Sequence, residues 1–168
     1  MLVGGIGQLF KSHGVEHFAG YGRIGGKNSV IVADENDKET ELQTDNIIIA
    51  TGSRSANIPG FPVDGKRILT SDHLLELGNL PKSMLIIGAG VIGCEWACML
   101  SLLDVEVTVV EMLERVLPME DADTSKVMER ELKKMKVAVH TSTKVESVKP
   151  GEAGVHAVLS NGKSVDCN

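Results

Sequence analysis

Aromatic side chains are nearly absent from this chain, with three Phe, one Tyr and one Trp in 168 residues. Any core must therefore be filled by Val, Ile, Leu, Met and Ala. Cysteine is scarce too. Cys94, Cys98 and Cys167 are odd in number and give no disulfide framework, which fits a reducing compartment. Cys94 and Cys98 are four apart and share a face if their segment is helical. That spacing suits a redox pair or half a metal site, but no second ligand pair lies nearby, and the two thiols read as small buried hydrophobes. No basic run is present and the formal net charge is −6, which argues against nucleic acid or an anionic membrane as partner. No stretch reaches the roughly 20 apolar residues of a membrane span. The opening "MLVGGIGQLFKSHG" lacks the basic start of a secretory signal.

The residues that are present alternate between strand and helix patterns, with no other internal repeat. Val3, Ile6, Leu9 and Phe10 form a helical stripe over residues 2–13, closed by Gly14. "GVEHFAGYGRI" reads as a strand entering a bend at Gly20 and Gly22, and "NSVIVA" as a second strand. Ile47, Ile48, Ile49 and Ala50 lack polar alternation and read as a buried strand ending at Thr51, Gly52 and Ser53. Residues 54–82 carry Pro59, Gly60, Pro62, Gly65 and Pro81 and read as a connector, with a short helix capped by Ser71 or Asp72. Beyond it the pattern predicts a buried strand at 84–88, a helix at 91–103, a strand at 105–111, a helix at 121–136 and a strand at 137–141. A small meander follows, with Asn161–Gly162 as a turn.

Gly88, Gly90 and Gly93 form G-x-G-x-x-G between the strand and the helix of a βαβ unit. The three glycines answer three demands. Gly88 allows the tight turn, Gly90 lets a pyrophosphate approach the backbone, and Gly93 lets helix and strand pack closely. The helix start then offers N–H groups to phosphate. The next strand ends in Glu111, 18 residues after Gly93. An acid there accepts hydrogen bonds from the adenine ribose and repels a 2′-phosphate. Arg115 stands without a second base, so the pattern favours NAD over NADP.

The ordered series "GYGRI", "DNIIIATGS", "PGFPVDGKRILTSD", "LPKSMLIIGAGVIGCEWA", "VTVVEMLERVLP" and "TKVESV" resembles the flavin-dependent pyridine nucleotide-disulfide oxidoreductases. The likeness covers essentially the whole chain and is strongest to the members that oxidise dihydrolipoamide. It implies an α/β fold: a partial FAD-binding domain with connector at 1–78, and a Rossmann-like, three-layer NAD-binding domain, also partial, at 79–168. It implies that Gly22, Thr51, Gly52 and Ser53 meet FAD through backbone. It further implies that Gly88, Ala89, Gly90, Val91, Ile92, Gly93, Cys94 and Glu95 line an NAD site, with Glu111 on the ribose and Val145 near the adenine. Glu95 matches a family glutamate that pairs with a lysine beside the flavin. By its position it also reads as a first-turn carboxylate favoured by the helix dipole.

The resemblance also implies an internal portion of a longer enzyme. The family's first glycine motif, its C-x-x-x-x-C redox pair and its His–Glu acid–base pair match nothing in these residues. The implied whole is a homodimer in the cytoplasm, or in the mitochondrial matrix of a eukaryote, serving the lipoyl domain of a 2-oxo acid dehydrogenase complex. The portion alone is expected not to turn over. Mercuric and glutathione reductases share the architecture and remain alternatives, as does a non-catalytic nucleotide-binding module. Asp104 stands where the family has Gly at the helix end, and Asp tolerates that left-handed position better than most residues. Cys94, Trp96 and Ala97 also depart from the family pattern. Trp96 is expected either to change the packing beneath the glycine turn or to lie half exposed.

Overall fold

The computed structural model describes residues 2–56 and 58–168, in two compact units that divide between Ser53 and Arg54. Residues 54–78 therefore gather with the second unit, although the sequence groups them with the first. The Arg67 guanidinium donates to the Glu152 carbonyl at 2.8 Å and helps to hold that connector.

In the first unit, helix α1 (Leu2–Ser12) ends as the stripe predicts. Gly14 takes φ +66°, Gly14 N–H bonds to Lys11 O and Val15 N–H bonds to Phe10 O, the paired closure of a left-handed helix cap. Ile6, Leu9 and Phe10 are exposed, and the side chain of Val3 lies outside the described residues. Strands β1 (Tyr21–Gly26), β2 (Ser29–Ala33) and β3 (Glu39–Gln43) form an antiparallel meander in that order. The first strand begins later than expected. Tyr21 pairs with Ala33, the last residue of β2, so residues before it have no ladder to join.

The buried strand expected at Ile47–Ala50 does not form. These residues have no regular structure, and Ile48 is 90% exposed. A strand without polar alternation needs neighbours on both sides, and no strand among the described residues pairs with it.

The second unit is built on a parallel sheet. Strands β4 (Ser83–Ile87), β5 (Glu106–Val110) and β6 (Ala138–His140) lie in that order, with Met84 opposite Val107 and Thr108 opposite Ala138. A short helix α2 (Ser71–Leu74) precedes them. Its cap is Thr70 rather than Ser71 or Asp72, and Thr70 N–H donates to His73 Nδ1 at 3.1 Å. Helix α3 (Val91–Leu102) joins β4 to β5, and α4 (Ala122–Lys134) joins β5 to β6. Asp121 caps α4 by accepting from Asp123 N–H at 2.8 Å.

The core is aliphatic, as the lack of aromatics requires. Cys94, Ala97 and Leu100 of α3 meet Val107 and Val109 of β5 and Leu132 of α4, all buried. Each large side chain buried there contributes about 1.5–3 kcal/mol. Strand β4 is only half-buried and Ile87 is exposed, because β4 is an edge strand bonded on one side only. Both helices end alike. Asp104 and Lys136 each take φ +61°, while Val105 N–H and Val137 N–H bond back to Leu100 O and Leu132 O. The left-handed turn expected at Asp104 is present.

Strands β7 (Val145–Pro150), β8 (Val155–Leu159) and β9 (Ser164–Cys167) complete the unit as an antiparallel meander. Gly162 at φ +80° makes the predicted turn. No helix among the described residues is long and apolar enough to cross a membrane.

Candidate functional site

The glycine turn between β4 and α3 is held from three sides. Gly88 N–H continues the sheet ladder to Val110 O at 2.8 Å. Ala89 is fully buried, its carbonyl accepts Leu117 N–H at 2.7 Å, and its N–H donates to Glu111 Oε2 at 2.7 Å. Cys94 Sγ, buried beneath, donates weakly to the Ala89 carbonyl at 3.4 Å.

The three glycines separate by what surrounds them. Gly88 has φ +101°, a conformation that side chains rarely adopt. A β-carbon on Gly93 would collide with the Gly88 carbonyl oxygen. A β-carbon on Gly90 would meet no protein atom within 4 Å. So Gly88 and Gly93 are needed by the fold itself, while Gly90 keeps open a space the protein does not fill.

Gly90 is also the N-cap of α3, and no side chain caps that helix. The first N–H groups of a helix have no partner inside it. An uncapped twelve-residue helix beside empty space is a place for an anion. Gly88, Gly90, Val91, Ile92, Gly93 and Trp96 all border a cavity of about 1050 Å³. Trp96 packs against the core with its side chain half-buried.

Glu111 directly follows β5 and is buried. Its Oε1 accepts Leu113 N–H at 2.8 Å, its backbone N–H donates to His140 O, and its carbonyl accepts Thr143 N–H. Val145 begins β7, two residues past Thr143. Arg115 donates to the carbonyls of Pro118 and Glu120 at 3.2 and 3.1 Å.

The structure thus brings together Gly88 to Cys94 and Glu111. It does not bring Gly22 and Thr51–Ser53 into one cradle. Gly22 lies in β1, Thr51–Ser53 are exposed and irregular, and no hydrogen bond among the described residues joins them. Glu95 is exposed on α3. Since the helix begins at Val91, Glu95 lies just past the first turn, which holds no acid. The dipole argument for Glu95 is weaker by that distance.

The sequence missed the two hydrogen bonds that Glu111 receives from backbone. The signal for them is faint, since an acid at a strand end announces a ligand and not a loop partner.

The cysteines are free. Burial, with Cys98 nearby, pushes the Cys94 thiol up to about 11. Cys98 and Cys167 are raised by burial as well. None is held as a thiolate nucleophile.

Residues 2–168 match the family model described as pyridine nucleotide-disulphide oxidoreductase. A dihydrolipoyl dehydrogenase of Bacillus subtilis is 43% identical over 152 residues, which is 86% of this chain and 32% of that protein. Among solved structures, LpdA from Mycobacterium tuberculosis superposes with a TM-score of 0.82 at 30% identity, over 98% of this chain and 37% of that one. A water-forming NADH oxidase from Lactobacillus brevis, solved with NADH bound, gives 0.64 at 26% identity, over 84% and 33%. The chain spans about a third of the length of the relatives it matches.

Proposed function

This chain belongs to the pyridine nucleotide-disulphide oxidoreductases, a family of FAD-dependent enzymes, and we propose that its Gly88–Gly93 turn holds the pyrophosphate of NAD(H) with Glu111 at the adenine ribose. One observation carries this reading: the β-carbon position of Gly90 is empty at the uncapped start of α3. Val91, Ile92 and Gly93 N–H would meet phosphate oxygens there. The Glu111 carboxylate would accept ribose hydroxyls with lone pairs that the two backbone N–H groups leave free, and Val145 would lie toward the adenine. Bound NAD supplies a hydride acceptor at its nicotinamide, and FAD a carrier between dithiol and nucleotide.

The whole enzyme would oxidise dihydrolipoamide, as a dihydrolipoamide dehydrogenase does. It would act as a homodimer on the lipoyl domain of a 2-oxo acid dehydrogenase complex. Gly22 and Thr51–Ser53 would meet FAD through backbone, and Glu95 would support the flavin side. In this portion the chain's own residues bind and orient nucleotide and do not complete a turnover. The raised Cys94 thiol supports that, because a disulfide relay needs a thiolate.

Titration of the chain with NADH and NADPH, followed by fluorescence of Trp96 and with circular dichroism as a folding control, tests the proposal. Trp96 is the sole tryptophan and borders the same cavity as the glycines. Quenching by NADH at concentrations where NADPH has no effect is expected. A folded chain that binds neither would overturn it, and NADH formation from dihydrolipoamide by the chain alone would overturn the non-catalytic part.

A further inference from the structure

We propose that Glu111 is a positioning residue for the glycine turn, so that one carboxylate both shapes the phosphate cradle and faces the ribose. The second half rests on the nucleotide reading above, and the first does not. The carboxylate is buried and bridges two segments far apart in sequence. Oε2 takes the N–H of Ala89, inside the glycine turn, at 2.7 Å, and Oε1 takes the N–H of Leu113 at 2.8 Å.

Ala89 has no exposed surface, so without Glu111 its N–H would be buried with no partner. The backbone of Glu111 is itself fixed by His140 and Thr143, so the side chain hangs from an immobile point. Among the described residues no cation pairs with it, and Arg115 is committed to two carbonyls. The acid is held by backbone donors alone.

Two consequences follow from the chemistry. A carboxylate can accept on both oxygens, whereas an amide has one acceptor and one donor. Glutamine at this position can satisfy Ala89 or Leu113 but not both. Nor can Glu111 swing aside to admit a 2′-phosphate without leaving Ala89 N–H unpaired. Selectivity for NAD and order of the phosphate turn are therefore coupled through one side chain.

Amide hydrogen exchange on the nucleotide-free chain tests the positioning role. In Glu111→Gln, exchange at Ala89 or at Leu113, whichever the amide leaves without an acceptor, is expected to speed at least tenfold, while the distant Ala157 and Leu159 amides keep their protection. NADH affinity falls tenfold or more, with no gain for NADPH. Protection of both Ala89 and Leu113 left intact in the variant would sink the proposal. So would improved NADPH binding on an undisturbed turn, which is what an acid acting only on the ribose predicts. Should Glu111→Gln fail to fold, the wild-type chain still decides. A through-hydrogen-bond coupling between the Ala89 nitrogen and the Glu111 carboxyl carbon is expected, and its absence would overturn the clamp. The exchange and coupling readouts need no nucleotide, so failure of NADH to bind would count against the proposed function and leave the clamp to be judged separately.

Discussion

The Gly88 carbonyl oxygen occupies the place that a β-carbon on Gly93 would need. The two glycines are thus one packing device. Gly88 turns the chain at φ +101°, and Gly93 lets α3 settle on the carbonyl that the turn exposes. Gly93→Ala forces backbone to move, and overpacking of that kind costs about 1–3 kcal/mol. Urea unfolding should show the loss in the absence of any nucleotide. Unchanged stability would mean that the turn is loose enough to yield.

Gly90→Ala should behave in the opposite way. Its added methyl enters open space, so the fold loses at most about 1 kcal/mol through poorer capping. Binding should suffer more, because that methyl stands where a pyrophosphate would approach. We expect NADH affinity to fall tenfold or more with the circular dichroism spectrum intact. Equal affinity in the two proteins would place the nucleotide elsewhere.

The contrast between these glycines shows what the sequence could and could not reveal. The roles of Gly88 and Gly93 follow from spacing, because a strand-to-helix turn needs those contacts whatever the ligand. The left-handed turn at Asp104 is equally local. The fate of Ile47–Ala50 is not local. A run of isoleucines reads as buried, but burial belongs to the neighbours, and no strand among the described residues pairs with it. The double duty of Glu111 was hidden for the same reason. Its partner Ala89 lies 22 residues away, and only the folded sheet brings them together.

Ile48 and Ile49, exposed by 90% and 74%, form an unpaired apolar run of β-branched residues. Such a segment is a template for association between chains. Ile48→Lys should raise the monomer fraction in light scattering at a given concentration. Stability should stay within about 0.5 kcal/mol, as for most surface changes away from special features. Unaltered association would shift suspicion to the exposed edge of β4.

Cys94 gives the chain an alkaline weakness. Burial first, and the nearby Cys98 second, raise its thiol from the usual 9 to about 11. Between those values the native state keeps a proton that the unfolded state has lost. The native state then binds more protons, so stability falls as pH rises from 9 toward 11. Below pH 9 both states hold the proton and the effect vanishes. Cys98 and Cys167 are raised too and tilt the curve the same way. The contribution of Cys94 is isolated by comparing wild type with Cys94→Ala in urea at pH 8, 9 and 10. Wild type should lose more stability than the variant across that series, and parallel curves would refute the assignment. The same burial predicts that iodoacetamide leaves Cys94 unmodified in the native chain at pH 8 and labels it once urea has unfolded the core, because alkylation needs a thiolate that the reagent can reach.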